Sequence, residues 1–294
     1  MAAFFDERDI KFQNSRIFNF KNNFKILKLN HCLKIENFVI LKFPMNISIA
    51  AETLFHIFSF PVTNTLVVTL GISLIVIIFS FILKSRISLV PRGFQNVVES
   101  VLEALLNLAD SVTQDRRQSK KFFPIVATIF IFVILVNWVE VVPGLGTIGI
   151  NRVEEGKQIL VPFIRSGSAD LNFTLAIALI SVISAQVLGI AAIGIGKYAG
   201  KFFVSPFRSP YFVGTFVGLL ELISEVAKLI SFSFRLFGNI FAGEVLLMVM
   251  LFLVPYLIPL PFLFLELFVG FIQALVFAML TLVFFKMAAT SAEH

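Results

Sequence analysis

Between Ser209-Pro210 and Pro255 the chain runs through one long apolar stretch, Tyr211 to Val254, whose charges are Glu221, Glu225, Lys228, Arg235 and Glu244. As a helix rising about 1.5 Å per residue it reaches roughly 65 Å, twice the hydrocarbon thickness of a bilayer. Such a stretch is either a helical hairpin or one strongly tilted, partly interfacial helix. Its internal charges favour a long tilted helix packed against other protein over two ordinary lipid-facing spans. Arg235 is the most demanding of them. It lies roughly 30 Å or more from one end and roughly 28 Å from the other, too far for its stem to reach an interface. A guanidinium keeps its proton at any ordinary pH, and holding it at membrane depth costs at least about 2.5 to 3.5 kcal/mol. The fold therefore has to supply an anion or a water-filled cavity.

Hydrophobic residues make up 58% of the chain and charged residues only 14%, which places it among polytopic membrane proteins. Spans of about 20 apolar residues read at Thr65 to Leu83, Phe122 to Val142 and Leu171 to Ile195, followed by Tyr211 to Val254 and Leu260 to Phe285. The expected fold is all-α, with about five to six membrane helices. Seven Lys or Arg lie between Lys84 and Lys121, and three more, with no acidic residue, between Lys197 and Arg208. By the positive-inside rule both segments are cytoplasmic. The connection from Pro143 to Asp170 and the turn around Pro255, Pro259 and Pro261 then read as external, and the carboxyl end as internal.

The first 44 residues, with eight Lys or Arg, conflict with that orientation. Translation beginning at Met45, or removal of the leader, reconciles the two; a disordered or interfacial extension is the plainer alternative. Asp6, Glu7 and Asp9 argue against a mitochondrial-type transit peptide. The expected organisation is thus a basic leader, 1–44, and a single membrane domain, 45–294. Cys32 is the only cysteine, so no intrachain disulfide can form.

Gly93 to Thr113 has apolar residues at helical spacing, with Glu99, Glu103 and Asp110 on other faces. It reads as an amphipathic helix on the cytoplasmic surface, although a small soluble helix would show the same pattern. Enzymatic signatures are misplaced. Gly144 to Gly149 spells GxGxxG, but it follows a membrane helix rather than a strand and reads as a flexible external turn. No Walker A sequence occurs, and His31, His56 and His294 lack partners at ligand spacing. No cofactor, metal or nucleic acid is called for.

At about 100° per residue, Glu221, Lys228 and Arg235 form one stripe, joined by Asn239, while Glu244 points to nearly the opposite side. In the last span Glu266 and Gln273 share a face; earlier spans offer Asn137 with Glu140, and Asp170 with Asn172. A proton path through a membrane requires such a series. Asn239 or Gln273 alone also fits interhelical glue, and Glu221 and Lys228 could simply pair with each other. Glu244 and Glu266 are harder to set aside, because a buried carboxyl without a cation is suited to exchanging protons.

The run Ser233-Phe234-Arg235-Leu236-Phe237-Gly238-Asn239-Ile240-Phe241-Ala242-Gly243-Glu244 resembles the signature of subunit a of F-type ATP synthases. Leu89 to Gln95, Asn137 to Pro143, Ser168 to Asn172 and Gln273 to Thr281 resemble further segments of that family, so the likeness covers roughly Met45 to His294. It implies a non-catalytic proton-channel subunit, working beside a ring of small c proteolipids and a peripheral-stalk subunit b. Arg235 would face the ring carboxylates and separate two half-channels. Glu244, Glu266, Asn239 and Gln273 would belong to the external one, with Asn137, Glu140 and Asp170 nearer its mouth. Glu221 and Lys228 would line or gate the inner one. The family carries His in some members where this chain has Glu266.

Positive-inside loops without a transit peptide point to a bacterial inner membrane. A proton-coupled secondary transporter would also bury charges, but repeated halves and broken helices are not found. A structural scaffold leaves Arg235 unexplained, and an intramembrane enzyme would need a nucleophile or metal constellation.

Overall fold

A computed structural model describes residues 51–85, 87–88, 93–142, 148–154, 157–202, 213–253 and 259–290. The basic leader, the Met45 boundary and most of the GxGxxG run lie outside these residues. Among the described residues, five helices are long and apolar enough to cross a membrane. They are α1 (Asn64–Ser85), α3 (Arg116–Val141), α4 (Leu171–Ile193), α6 (Val213–Leu253) and α7 (Pro259–Thr290). The chain is thus a mostly helical polytopic membrane protein. α6 is a single helix of 41 residues, so the hairpin alternative does not apply.

α3 starts earlier than hydropathy alone indicates, because Asp115 caps it: its carboxylate accepts the Arg117 amide at 2.8 Å, and the basic turn Arg116 to Lys121 is helical before the apolar run begins. Its buried side chains, Phe122, Val126, Phe130 and Val133, pack against α7. Phe122 meets Phe285 and Phe130 meets Phe271 edge-on, with ring centroids 5.7 and 6.0 Å apart. α6 also joins α7, with Phe232 stacked on Phe277 at 4.0 Å. α4 packs on both α6 and α7, whereas α1 leaves Leu70, Leu74, Ile78 and Phe81 exposed, an apolar surface suited to lipid.

The amphipathic segment forms α2 (Phe94–Thr113). Leu105, Ala109 and Thr113 are buried, and Lys286 of α7 donates to the Val112 carbonyl at 2.9 Å, which fixes the end of α2 against the carboxyl end of α7. Phe94, Val97, Val101 and Leu108 remain exposed at helical spacing. A short helix, α5 (Ile195–Phe202), follows α4 and packs on it and on α6.

Two antiparallel hairpins were not anticipated: β1 (Thr53–Ile57) with β2 (Phe60–Thr63), and β3 (Gly149–Glu154) with β4 (Lys157–Pro162). Their strands are too short for a periodic signal to stand out from flanking apolar spans. Gly149, the last glycine of the GxGxxG run, opens β3 rather than a loose turn. A Cβ there would sit 2.1 Å from the Val161 carbonyl oxygen, so glycine serves close strand approach. Asn64, at the start of α1, donates to the Pro162 carbonyl at 3.2 Å and thereby anchors the second hairpin to the bundle.

Candidate functional site

Polar side chains inside the bundle gather in two places along α6. The first lies toward its carboxyl end. There Arg165, from the segment after β4, grips Glu244 with its Nε 3.0 Å from Oε1 and 3.3 Å from Oε2, and its Nη2 3.1 Å from Oε2. Both residues are buried, at 6% and 7% exposure. Glu140 of α3 lies close enough to feel Arg165, Glu244 and Glu266, and Glu266 of α7 is a neighbour of Glu244, so three carboxyls gather at this end of α6. Neither Glu266 oxygen has a hydrogen-bond partner among the described residues, and the same holds for Glu140 Oε2, Asn137 Oδ1 and Gln273 Nε2. Buried polar atoms are nearly always satisfied, so these groups set this end of α6 apart from an apolar helix core.

Helix contact geometry positions the group. Asn137 donates to the Gly270 carbonyl at 3.0 Å and Trp138 to that of Leu267, also at 3.0 Å, so the end of α3 is fixed on α7. A Cβ at Gly270 would lie 3.2 Å from that of Asn137. Gly243 makes room for Glu266: a Cβ on it would sit 3.1 Å from Glu266 Oε1. Beside them a cavity of about 270 Å³ is lined chiefly by Ile240, Leu246, Phe262 and Val269, with Asn239 and Glu266 as its polar members.

From this cavity the polar line continues to Arg235. Gln273 accepts a hydrogen bond from the Asn239 amide at 2.7 Å, and Asn239 lies one turn beyond Arg235 on the same exposed face. Arg235 makes no hydrogen bond or ion pair with a described residue. Ser231, Gly238 and Ala242 lie exposed around it, and nothing stands within 4 Å of a Cβ built on Gly238.

The second group lies toward the amino end of α6, where Lys228 donates to Glu225 at 2.8 Å with its ammonium 5.7 Å from the Phe284 ring centre. The pairing of Lys228 with Glu221 allowed by the stripe is replaced by this one, because three residues bring side chains closer than seven do. Gln186 of α4 donates to Glu225 at 2.9 Å, and the Tyr198 hydroxyl of α5 donates to Gln186. Glu221 is half-buried nearby.

Asp170 is otherwise engaged. Its Oδ1 accepts the Asn172 amide at 2.9 Å, capping α4, and its Oδ2 accepts the Thr65 hydroxyl at 2.8 Å, tying α1 to α4. Sequence reasoning missed Arg165, Gln186, Tyr198 and Glu225 as members of these groups. It treated Glu244 as a buried carboxyl without a cation; the cation comes from a loop that carries no periodic signal. The one trace of it in the sequence is that Arg165 precedes the small-residue run Ser166-Gly167-Ser168-Ala169, every member of which is buried.

The fold and site together define an integral membrane protein that carries ionisable groups along two long helices. The sequence matches the ATP synthase A chain family over residues 65–286. It is 33% identical over 228 residues to ATP synthase subunit a of Campylobacter concisus, covering 76% of this chain and 88% of the relative. It is 30% identical over 232 residues to ATP synthase subunit a of Moorella thermoacetica, covering 79% and 93%. The chain belongs to the ATP synthase A chain family, the proton-translocating subunit of the enzyme's membrane sector.

Proposed function

We propose that this chain provides two proton half-channels to a rotating ring of small c proteolipids and that Arg235 separates them. The observation that carries the reading is Arg235 itself: a permanent cation at mid-helix, without a partner among the described residues, on a face where Ser231, Gly238 and Ala242 are small and uncovered. Small residues let a partner helix approach closely, and a membrane-depth guanidinium needs an anion. A ring carboxylate supplies both. Facing Arg235 it is favoured in its ionised form, so an arriving protonated site releases its proton, and the fixed charge repels protons that would leak between the two paths.

In this reading Glu140, Asn137, Glu244, Glu266, Gln273 and Asn239 belong to the external half-channel, with Asp170 supporting its mouth. Glu221 and Lys228 line the inner one, where Glu225, Gln186 and Tyr198 join them. The subunit is non-catalytic: it moves protons, while nucleotide chemistry belongs to other parts of the complex. It sits in a bacterial inner membrane, with the Lys- and Arg-rich connections inside, and 45–294 acts as one membrane domain held by subunit b of the peripheral stalk.

The test is ATP-driven proton pumping in inverted vesicles that carry the whole complex, comparing wild type with Arg235→Ala at equal assembly. Pumping is expected to vanish in the variant. Pumping at the wild-type rate would make Arg235 a structural cation and end this reading.

A further inference from the structure

Three carboxyls, Glu140, Glu244 and Glu266, gather beside Arg165 at the outer end of α6, and they are not equivalent. Glu244 receives the Arg165 fork through three contacts of 3.0 to 3.3 Å. Glu266 receives no hydrogen bond at either oxygen, and Glu140 none at Oε2, among the described residues. The guanidinium is delivered by a rigid strut. Ser166 donates to the Val136 carbonyl at 3.1 Å, and a Cβ at Gly167 would lie 2.4 Å from Thr69 Cγ2, so the backbone beside Arg165 is pinned between α3 and α1.

We propose that Arg165 is a positioning residue of the outer proton path, holding Glu244 as a standing carboxylate so that the travelling proton is carried by Glu266 and Glu140. A proton placed on Glu244 would replace a bidentate ion pair with a buried guanidinium that has lost its anion and cannot discharge. Protonating Glu266 breaks no contact of this kind. The charged and titratable groups that face Glu244 are Arg165 from the segment after β4, Glu140 from α3 and Glu266 from α7. Glu266, seated against Gly243, is the group from which the path continues toward Gln273 and Asn239. This role rests on the two-half-channel reading above.

The experiment measures ATP-driven pumping against pH in vesicles carrying the assembled complex, for Arg165→Gln, Glu244→Gln, the double variant Arg165→Gln/Glu244→Gln, and Glu266→Gln. Each single change at the pair leaves a buried charge without its partner, whereas the double variant leaves none. The expected result is that the double variant pumps about tenfold or more above Arg165→Gln and keeps the wild-type pH profile, while Glu266→Gln is inactive. Failure of Arg165→Gln to assemble leaves the comparison intact, because the double variant carries it. A double variant that assembles but pumps no better than the single ones, or with a displaced pH profile, makes Glu244 a proton carrier and overturns the proposal; so does wild-type pumping by Arg165→Gln. Arg235→Ala, measured alongside, separates the two levels. If it pumps, the half-channel reading falls; if it is dead while the double variant is also dead, only the role of Arg165 falls.

Discussion

The amide of Asn239 donates to Gln273 Oε1 at 2.7 Å, joining α6 to α7 one helical turn from Arg235. The bond connects the exposed face that carries the cation with the buried face that carries Glu266, which in the proposed reading is the step between the outer group and the ring. Replacing Asn239 by Leu leaves Gln273, which is 4% exposed, without a partner at either end of its amide. Pumping by Asn239→Leu is expected to drop about tenfold at equal assembly, which fluorescence quenching in inverted vesicles would read. An unchanged rate would reduce the pair to interhelical glue.

The two glycines of the Arg235 segment should respond differently to substitution. Gly238 faces open space, so Gly238→Leu is expected to leave the isolated subunit as stable in detergent as the wild type but to block assembly with the ring. Gly243→Ala presses on Glu266 Oε1 at 3.1 Å, so its effect should appear as slower pumping in a complex that still assembles. Co-purification with the c subunit distinguishes the two; ring assembly by Gly238→Leu at the wild-type level would show that this face is not the docking face.

Lys228 and Glu225 form a partly exposed pair three residues apart, with side-chain exposures of 22% and 16%. Pairs of this kind contribute at most about 1 kcal/mol, so Lys228→Gln should lower the detergent melting temperature by only about 2 to 4 °C. Its larger effect is expected on pumping, through the inner path. A drop in melting temperature well beyond that range with normal pumping would assign Lys228 to stability alone.

Burial pushes the Tyr198 phenol up to about 12, with Glu225 and then Glu221 adding to the shift. A folded-state value above the ordinary one means that the stabilising contribution is complete below about 10 and is lost as pH rises toward 12. Ultraviolet titration of tyrosinate in a Tyr211→Phe/Tyr256→Phe background would follow this group alone, since the chain has three tyrosines. A midpoint near the ordinary value would show that the phenol is not buried beside Glu225 and Glu221.

The sequence by itself determined the membrane spans, the amphipathic α2, and which polar residues share a face, while the structure decided that the stretch around Arg235 is one helix rather than a hairpin. Arg235 with Asn239, and Glu266 with Gln273, follow from the helical period, because the angle between side chains on one helix depends only on their spacing. The tertiary structure decided everything that joins distant segments. Arg165 reaches Glu244 across 79 residues and Gln186 reaches Glu225 across 39, and no local period encodes either contact. It also decided that Lys228 takes Glu225 rather than Glu221, that Asp170 caps α4 and binds Thr65, and that Gly238 is open while Gly243 is closed over by Glu266. Those choices depend on how helices pack and how a loop closes between them, and both are set by the shape of neighbouring elements rather than by the residues at either end.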